Sequence, residues 1–224
     1  MRLSLKKFVI EFFDFNTGCV CNDYTVETSN LKDLSDIIND GEGEFHPSAK
    51  YDLTEHNLDQ IEVLLNIKFE RAGNMARLRS WRFTDELPYK VHTNKELALM
   101  LRNEKPLSVF CERFPSNPDF DLIPERFFAP HVDAGLFSTF QCIIADARGI
   151  ENRFVFYATK GENWRIYAYI LLKRTSILSG WSEGFERMEG SLLGYEDWQN
   201  DIYIEKVFKS RDGANSSVQS SATD

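Results

Sequence analysis

The sequence LFSTFQCIIADARGIENRFVFYATKGENWRIYAYILLKRTS, residues 136–176, decides the fold class. It begins with two runs rich in β-branched and aromatic residues, 136–145 and 153–157, which are separated by a turn at Gly149. Such runs are typical of two neighbouring strands. The apolar residues then change to a helical spacing, which predicts a helix over residues 163–176. Because strands and helices do not alternate strictly, the pattern indicates an α+β fold.

The same stretch predicts which side chains are buried. Both strands carry large apolar residues on both faces, which is typical of central strands that are covered on two sides. The helical spacing predicts an inner face for the helix that consists of Trp164, Tyr167, Ala168, Leu171 and Leu172.

The rest of the chain predicts mixed or antiparallel sheets with about five or six helices packed against them. Residues 8–15 and 19–28 have the composition of an N-terminal β-hairpin. Asp52 and Glu55 have the spacing of a capping box at the start of a helix, and Ser182 is placed to cap a later helix.

The chain of 224 residues predicts one α+β unit over residues 1–208. A Pro- and Asn-rich stretch near 115–120 is the best candidate for a subdivision into 1–114 and 120–208. Residues 209–224 are poor in large apolar residues, which predicts a disordered tail.

Composition narrows the class of function. The net charge of −9 argues against a dedicated nucleic-acid partner, which would need a cationic footprint. The four cysteines lack the spacing of a zinc site, and reduced thiols suit a soluble, cytoplasmic protein. Cys19 and Cys21 lie two positions apart in a strand-like run, which predicts that both point to one face of the strand. The N-terminus does not resemble a signal peptide, and no apolar run is long enough to span a membrane, so no membrane partner is expected.

The motifs of cofactor chemistry and nucleophilic catalysis are missing from the sequence. It contains no phosphate-binding loop, no dinucleotide-binding glycine motif, no serine nucleophile elbow and no His-Glu-x-x-His. No cofactor is therefore expected. The sequence leaves open whether the protein is an enzyme, because a carboxylate–metal site can be assembled from distant parts of a chain.

Charge and aromatic rings concentrate in residues 181–205, which we call the acidic–aromatic segment. Residues 183–205 contain seven acidic residues and one basic residue. Trp and Tyr are frequent in interface hot spots, since each buries a large area with few rotatable bonds. The segment therefore predicts a non-enzymatic interaction or accessory subunit that binds another protein, and self-association is also compatible with the sequence. The predicted partner-binding residues are Glu186, Glu189, Tyr195, Glu196, Asp197, Trp198 and Asp201. A solvated helix face with a mainly structural role is the simpler interpretation of the same segment.

A second hypothesis assigns a divalent metal to this segment. On a helix Glu186 and Glu189 are neighbours, as are Asp197 and Asp201. Carboxylate pairs are suitable oxygen ligands, so this arrangement would fit a metal-dependent hydrolase or nuclease.

A third hypothesis concerns Arg77, Arg79, Trp81 and Arg82 in the basic middle of the chain. Cationic side chains beside an aromatic ring can bind phosphates and stack on bases, as in a nucleic-acid-binding module. The alternative is that these arginines pair with acidic residues of the same chain and that a cation–π contact holds Trp81.

Overall fold

The computed structural model describes residues 6–39, 46, 49–71, 75–116 and 123–209. Within these ranges the chain forms seven α-helices and two antiparallel sheets, of four and three strands, which confirms the α+β class. No described helix has both the length and the apolar character that crossing a membrane requires.

The chain divides into two compact units, Met1–Glu86 and Leu87–Asp224. The candidate subdivision near 115–120 falls within the second unit, and its residues 117–120 lie outside the described ranges. The tail predicted for 209–224 also lies outside them, apart from Lys209. The single unit predicted for residues 1–208 stays a prediction.

The first unit contains a four-stranded sheet with the strand order β2-β1-β4-β3. Its elements are β1 (Lys6–Phe13), β2 (Val20–Thr28), α1 (Leu31–Asn39), β3 (Lys50–Leu53), α2 (Glu55–Leu65), β4 (Met75–Ser80) and a 3-10 turn at Phe83–Glu86. β1 and β2 form the predicted hairpin. Alternate residues of β1, Phe8, Ile10 and Phe12, belong to a core that includes Leu34 of α1 and Ile61 of α2.

Two local predictions in this unit are wrong. Asp52 does not cap α2, because it lies in β3; the cap is Thr54, whose side chain accepts a hydrogen bond from the backbone N–H of Asn57 at 3.1 Å. Cys19 and Cys21 do not share a face, because an irregularity in the β1–β2 register leaves Cys19 buried and Cys21 exposed.

The second unit contains a three-stranded sheet with the order β5-β7-β6. Its elements are α3 (Glu96–Leu101), β5 (Leu107–Arg113), α4 (Glu125–Asp133), β6 (Phe137–Ala145), β7 (Glu151–Thr159), α5 (Trp164–Ser179), α6 (Glu183–Leu192), α7 (Asp197–Tyr203) and a π-helical turn at Ile204–Phe208. Only β7 is central, so the prediction that both strands of this hairpin are central is wrong for β6, which is an edge strand.

Neighbouring residues of β7 contact different helices because side chains alternate along a strand. Phe156 packs against Tyr169 of α5, with ring centroids 5.7 Å apart. Tyr157 stacks on Phe128 of α4 at 4.1 Å. The sheet is therefore packed between α4 and α5.

The predicted inner face of α5 is largely wrong. The buried residues are Ile166, Tyr169, Leu172 and Ser176. The largest predicted inner residues, Trp164, Tyr167 and Leu171, are exposed instead.

Candidate functional site

The acidic–aromatic segment forms α6 and α7, and each helix begins at a polar residue. Ser182 caps α6 as predicted, since its hydroxyl accepts a hydrogen bond from the backbone N–H of Phe185 at 3.3 Å. Before α7, the backbone N–H of Glu196 donates to the side-chain oxygen of Gln199 at 2.8 Å. These contacts satisfy backbone groups that a helix N-terminus leaves without an intrahelical partner.

Helices α6 and α7 approach closely where α6 has a glycine. A Cβ at Gly190 would lie 1.9 Å from the side-chain oxygen of Asn200, so a larger residue does not fit there. Arg187 of α6 also donates to Asp201 of α7 at 2.6 Å. The glycine and the ion pair fix α7 against α6.

Six of the seven predicted partner-binding residues separate into two clusters, and the seventh, Asp201, pairs with Arg187. In the first cluster, the amine of Lys173 lies 4.2 Å from the ring centroid of Trp181 and 2.8 Å from Glu189. Glu189 also accepts a hydrogen bond from the hydroxyl of Tyr169, and Glu186 accepts one from the indole of Trp181. The carboxylates of this cluster are therefore engaged in contacts that join α6 to α5.

The four carboxylates predicted as metal ligands are not brought together. Glu186 and Glu189 contact the first cluster, whereas Asp201 pairs with Arg187. Among the described residues, no group of three or more His, Cys, Asp and Glu side chains is arranged to hold a metal ion.

The second cluster surrounds Trp198, at the start of α7. Trp198 is 45% exposed, but its ring packs edge-to-face on Tyr89 with centroids 5.4 Å apart. The indole N–H donates to Glu196 at 2.6 Å. Asp197 is exposed and makes no ion pair with the described residues. We call Trp198, Tyr89, Glu196 and Asp197 the Trp198 surface; it combines a held, accessible indole with an available carboxylate.

The residues on either side of Trp198 are anchored to a distant stretch of the same unit. Tyr195 stacks on His92 with centroids 4.0 Å apart, and its hydroxyl accepts from the backbone N–H of His92 at 2.8 Å. The hydroxyl of Tyr89 donates to the backbone carbonyl of Gln199 at 3.0 Å. The start of α7 is therefore held in place by residues 89–92.

A buried lysine supports this anchor. Lys105 is 3% exposed, and its amine donates to the carbonyl of Leu193 at 3.2 Å and lies 3.3 Å from Nδ1 of His92. Burial lowers the pKa of Lys105 to about 8. Burial, together with the charge of Lys105, lowers the pKa of His92 to about 4. Burial raises the pKa of Tyr195 to about 12, so the ring that stacks on His92 stays neutral.

Sequence reasoning missed Tyr89, His92 and Lys105. His92 and Tyr195 are 103 residues apart, and no spacing rule connects positions so distant in the chain. The composition around them shows only an ordinary mixture of polar and aromatic residues.

Two grooves lined by described residues of the second unit lie away from the Trp198 surface. A groove of about 560 Å³ is lined by α4, β6 and β7 and contains Asp133 and Glu125, the latter paired with Arg153 at 2.6 Å. A smaller groove of about 180 Å³ is lined partly by Lys173 and Trp181. Neither groove is lined by the Trp198 surface.

The arginines of the third hypothesis pair within the first unit. Arg79 is buried, and it donates to Glu11 at 2.7 Å and to Asp85 at 2.8 Å. Arg77 donates to Asp52 at 2.7 Å. Charges that are matched in this way are not available to a phosphate backbone.

Trp81 and Arg82 follow β4. The amine of Lys7 lies 5.5 Å from the ring centroid of Trp81, and the ring of Phe83 lies 6.0 Å from the same centroid. Arg82 is exposed. Of the four predicted residues, Arg82 is therefore the one that combines exposure with no ion pair among the described residues. This agrees with the alternative in which the basic strand pairs within its own chain.

Comparisons with family models, with curated proteins and with solved structures find no match for this chain.

Proposed function

We propose that this protein is a non-enzymatic interaction subunit that binds a basic segment of another protein at the Trp198 surface. The observation that carries the proposal is the combination of an accessible, held indole with the exposed carboxylate of Asp197, which makes no ion pair with the described residues. An indole that is fixed before binding loses little conformational freedom when a partner covers it.

The chemistry of the surface favours a cationic side chain. A guanidinium can lie over an indole face, and such cation–π contacts contribute about 0.5–2 kcal/mol depending on how far they are desolvated. The same guanidinium can pair with a carboxylate through two parallel hydrogen bonds. Trp198 and Asp197 are the first two residues of α7 and are both exposed, so a partner segment with several cationic side chains can contact both.

The proposal includes a cytoplasmic location. All four cysteines lie within the described residues, and none of them forms a disulfide bond. Reduced thiols suit a reducing compartment such as the cytoplasm.

The test measures binding of fluorescent peptides of equal length, one rich in arginine and one rich in glutamate, to the full-length protein by anisotropy. We expect the arginine-rich peptide to bind and the glutamate-rich peptide not to bind. Trp198→Ala should weaken binding by about 2 kcal/mol or more, or roughly 30-fold, as expected for a hot-spot tryptophan. Asp197→Asn should weaken it by a smaller factor.

Two control variants test whether the loss of an exposed ring or carboxylate elsewhere in the protein also weakens peptide binding. Phe15→Ala removes an exposed ring from the first unit, and Glu151→Gln removes an exposed carboxylate from β7. Both variants should bind like the wild type. If Trp198→Ala binds as tightly as the wild type, or if Glu151→Gln weakens binding as much as Asp197→Asn, the Trp198 surface is not the binding site.

A further inference from the structure

Helix α5 carries a row of large, exposed side chains on the side opposite its buried residues. Trp164 is 53% exposed, Tyr167 65%, Leu171 67% and Leu178 89%. The opposite side of the helix carries the residues that pack on Phe156 and the rest of the core. This exposed row is separate from the Trp198 surface, which belongs to α7 and Tyr89.

The spacing of the exposed row suits a second helix. Positions 164, 167, 171, 174 and 178 are separated by alternating steps of three and four residues, which is the spacing of a coiled-coil seam. We call Trp164, Tyr167, Leu171, Arg174 and Leu178 the outer face of α5. A helix that packs on such a face inserts its side chains between these residues.

The outer face also contains a cation. Arg174 is exposed and has no ion pair or ring contact among the described residues. A cation within a seam needs a complementary group on the helix that covers it. An aromatic ring is such a group, and Trp164 on the same face provides one. The guanidinium of Arg165 lies 4.7 Å from the centroid of this ring, so the contact with Arg174 would use the opposite side of the indole.

From these features we infer that the outer face of α5 is where two copies of this chain associate, with their α5 helices antiparallel. We place the two helices so that Trp164 of each copy faces Arg174 of the other and Tyr167 faces Leu171. In this register Leu178 lies at the edge of the contact, beyond the first residue of α5 in the other copy. Each contact occurs twice, as two-fold symmetry requires. The face therefore supplies both partners of the cation–π contact, and the opposed helix dipoles also favour this orientation.

The exposed apolar area of the outer face of α5 is large enough for the centre of a dimer interface. Phe140, an exposed residue of the edge strand β6, contacts Tyr167 with centroids 6.2 Å apart and extends the face. Together these side chains expose apolar area on the order of 500 Å², which is at the upper end for the largest patch on a monomer. A standard interface buries about 800 Å² on each partner, so this face would supply its apolar centre and the surrounding polar residues the remainder.

The first experiment is sedimentation velocity of the full-length protein from micromolar to hundreds of micromolar concentration. We expect the wild type to be a dimer and Leu171→Glu to be a monomer, with dimer affinity reduced by at least about a hundredfold because two carboxylates would be buried. Val63→Glu is the matched control, since Val63 is an exposed apolar residue on α2. It should leave the dimer intact, and far-UV circular dichroism should show that all three proteins are folded.

A second experiment tests the register. Tyr167→Glu and Leu171→Arg should each disrupt the dimer, whereas the double variant should restore it, because position 167 of one copy faces position 171 of the other. A parallel arrangement would place like charges together and would not be restored.

Three results would overturn the inference: a wild type that is monomeric throughout, a Leu171→Glu variant that still dimerises, or a double variant that stays monomeric. A monomeric wild type that binds a different helical chain through Leu171 would assign the face to another partner and would also overturn it. Arginine-peptide binding at Trp198 is measured separately, so either proposal can fail without the other.

Discussion

The polar residues beneath Trp198 show how a few side chains hold a functional surface in place. The amine of Lys105 reaches the carbonyl of Leu193, and His92 stacks on Tyr195, so the turn that precedes α7 is connected to residues far away in sequence. A buried amine is costly, and its lowered pKa is the measure of that cost. The cost is compatible with folding because the amine has a backbone acceptor and a ring nitrogen within reach.

The pH dependence of stability should report on this lysine. The unfolded chain binds the proton with a pKa near 10.5, whereas the folded pKa is about 8, so the unfolded state binds more protons between these values. The charged Lys105 amine therefore lowers the free energy of unfolding by its full amount below pH 8, and this destabilisation disappears as the pH rises towards 10.5. Relative to Lys105→Met, the wild type should gain up to about 3 kcal/mol of unfolding free energy over this range.

Urea unfolding of both proteins at pH 7, 8, 9 and 10 measures this difference. Other groups that titrate in the same range, such as the tyrosines and cysteines, are common to both proteins and largely cancel. Parallel stability curves for wild type and Lys105→Met would contradict the assignment of the lowered pKa to Lys105.

At the scale of an element, α5 shows why a correct helix prediction can assign the wrong face. The apolar spacing predicted the helix, but α5 has large apolar residues on two sides, with Ile166 and Leu172 on one and Tyr167 and Leu171 on the other. Local spacing cannot choose between them, because the choice depends on where the sheet packs. The side left exposed is the one from which the dimer is inferred.

The contact between α6 and α7 gives a prediction for two glycines of one helix. Gly190→Ala should destabilise the protein by about 1–3 kcal/mol, because the new Cβ would overlap the side chain of Asn200. Gly184→Ala should instead stabilise it by about 0.5–1 kcal/mol, since a Cβ there would lie 3.7 Å from the hydroxyl of Ser182, an ordinary contact, and alanine favours the helix.

Thermal unfolding gives the melting temperatures of the two variants. Binding of the arginine-rich peptide shows whether the Trp198 surface is affected. We expect Gly190→Ala to bind more weakly than Gly184→Ala, because a displaced α7 moves Trp198. Equal melting temperatures for the two variants would show that α7 is not fixed by Gly190.

At the scale of the whole molecule, what the sequence could predict depends on how local the signal is. The hairpin, the Ser182 cap and the α+β class follow from short patterns, and they are confirmed. Trp198 was among the predicted residues because charge and rings concentrate around it. Its support by Tyr89 and Lys105 depends on contacts between distant parts of the chain, which composition and spacing do not encode.

The charge of the whole molecule should govern how quickly a basic partner arrives. The net charge of −9 attracts a cationic peptide over distances comparable to the Debye length, about 10 Å at 0.1 M salt. Stopped-flow measurements should therefore show an association rate that falls about tenfold or more as salt is raised, with a smaller change in the dissociation rate. Trp198→Phe should mainly increase the dissociation rate and keep the salt dependence, because the indole contact forms only after encounter. An association rate that does not respond to salt would mean that the acidic charge takes no part in recognition.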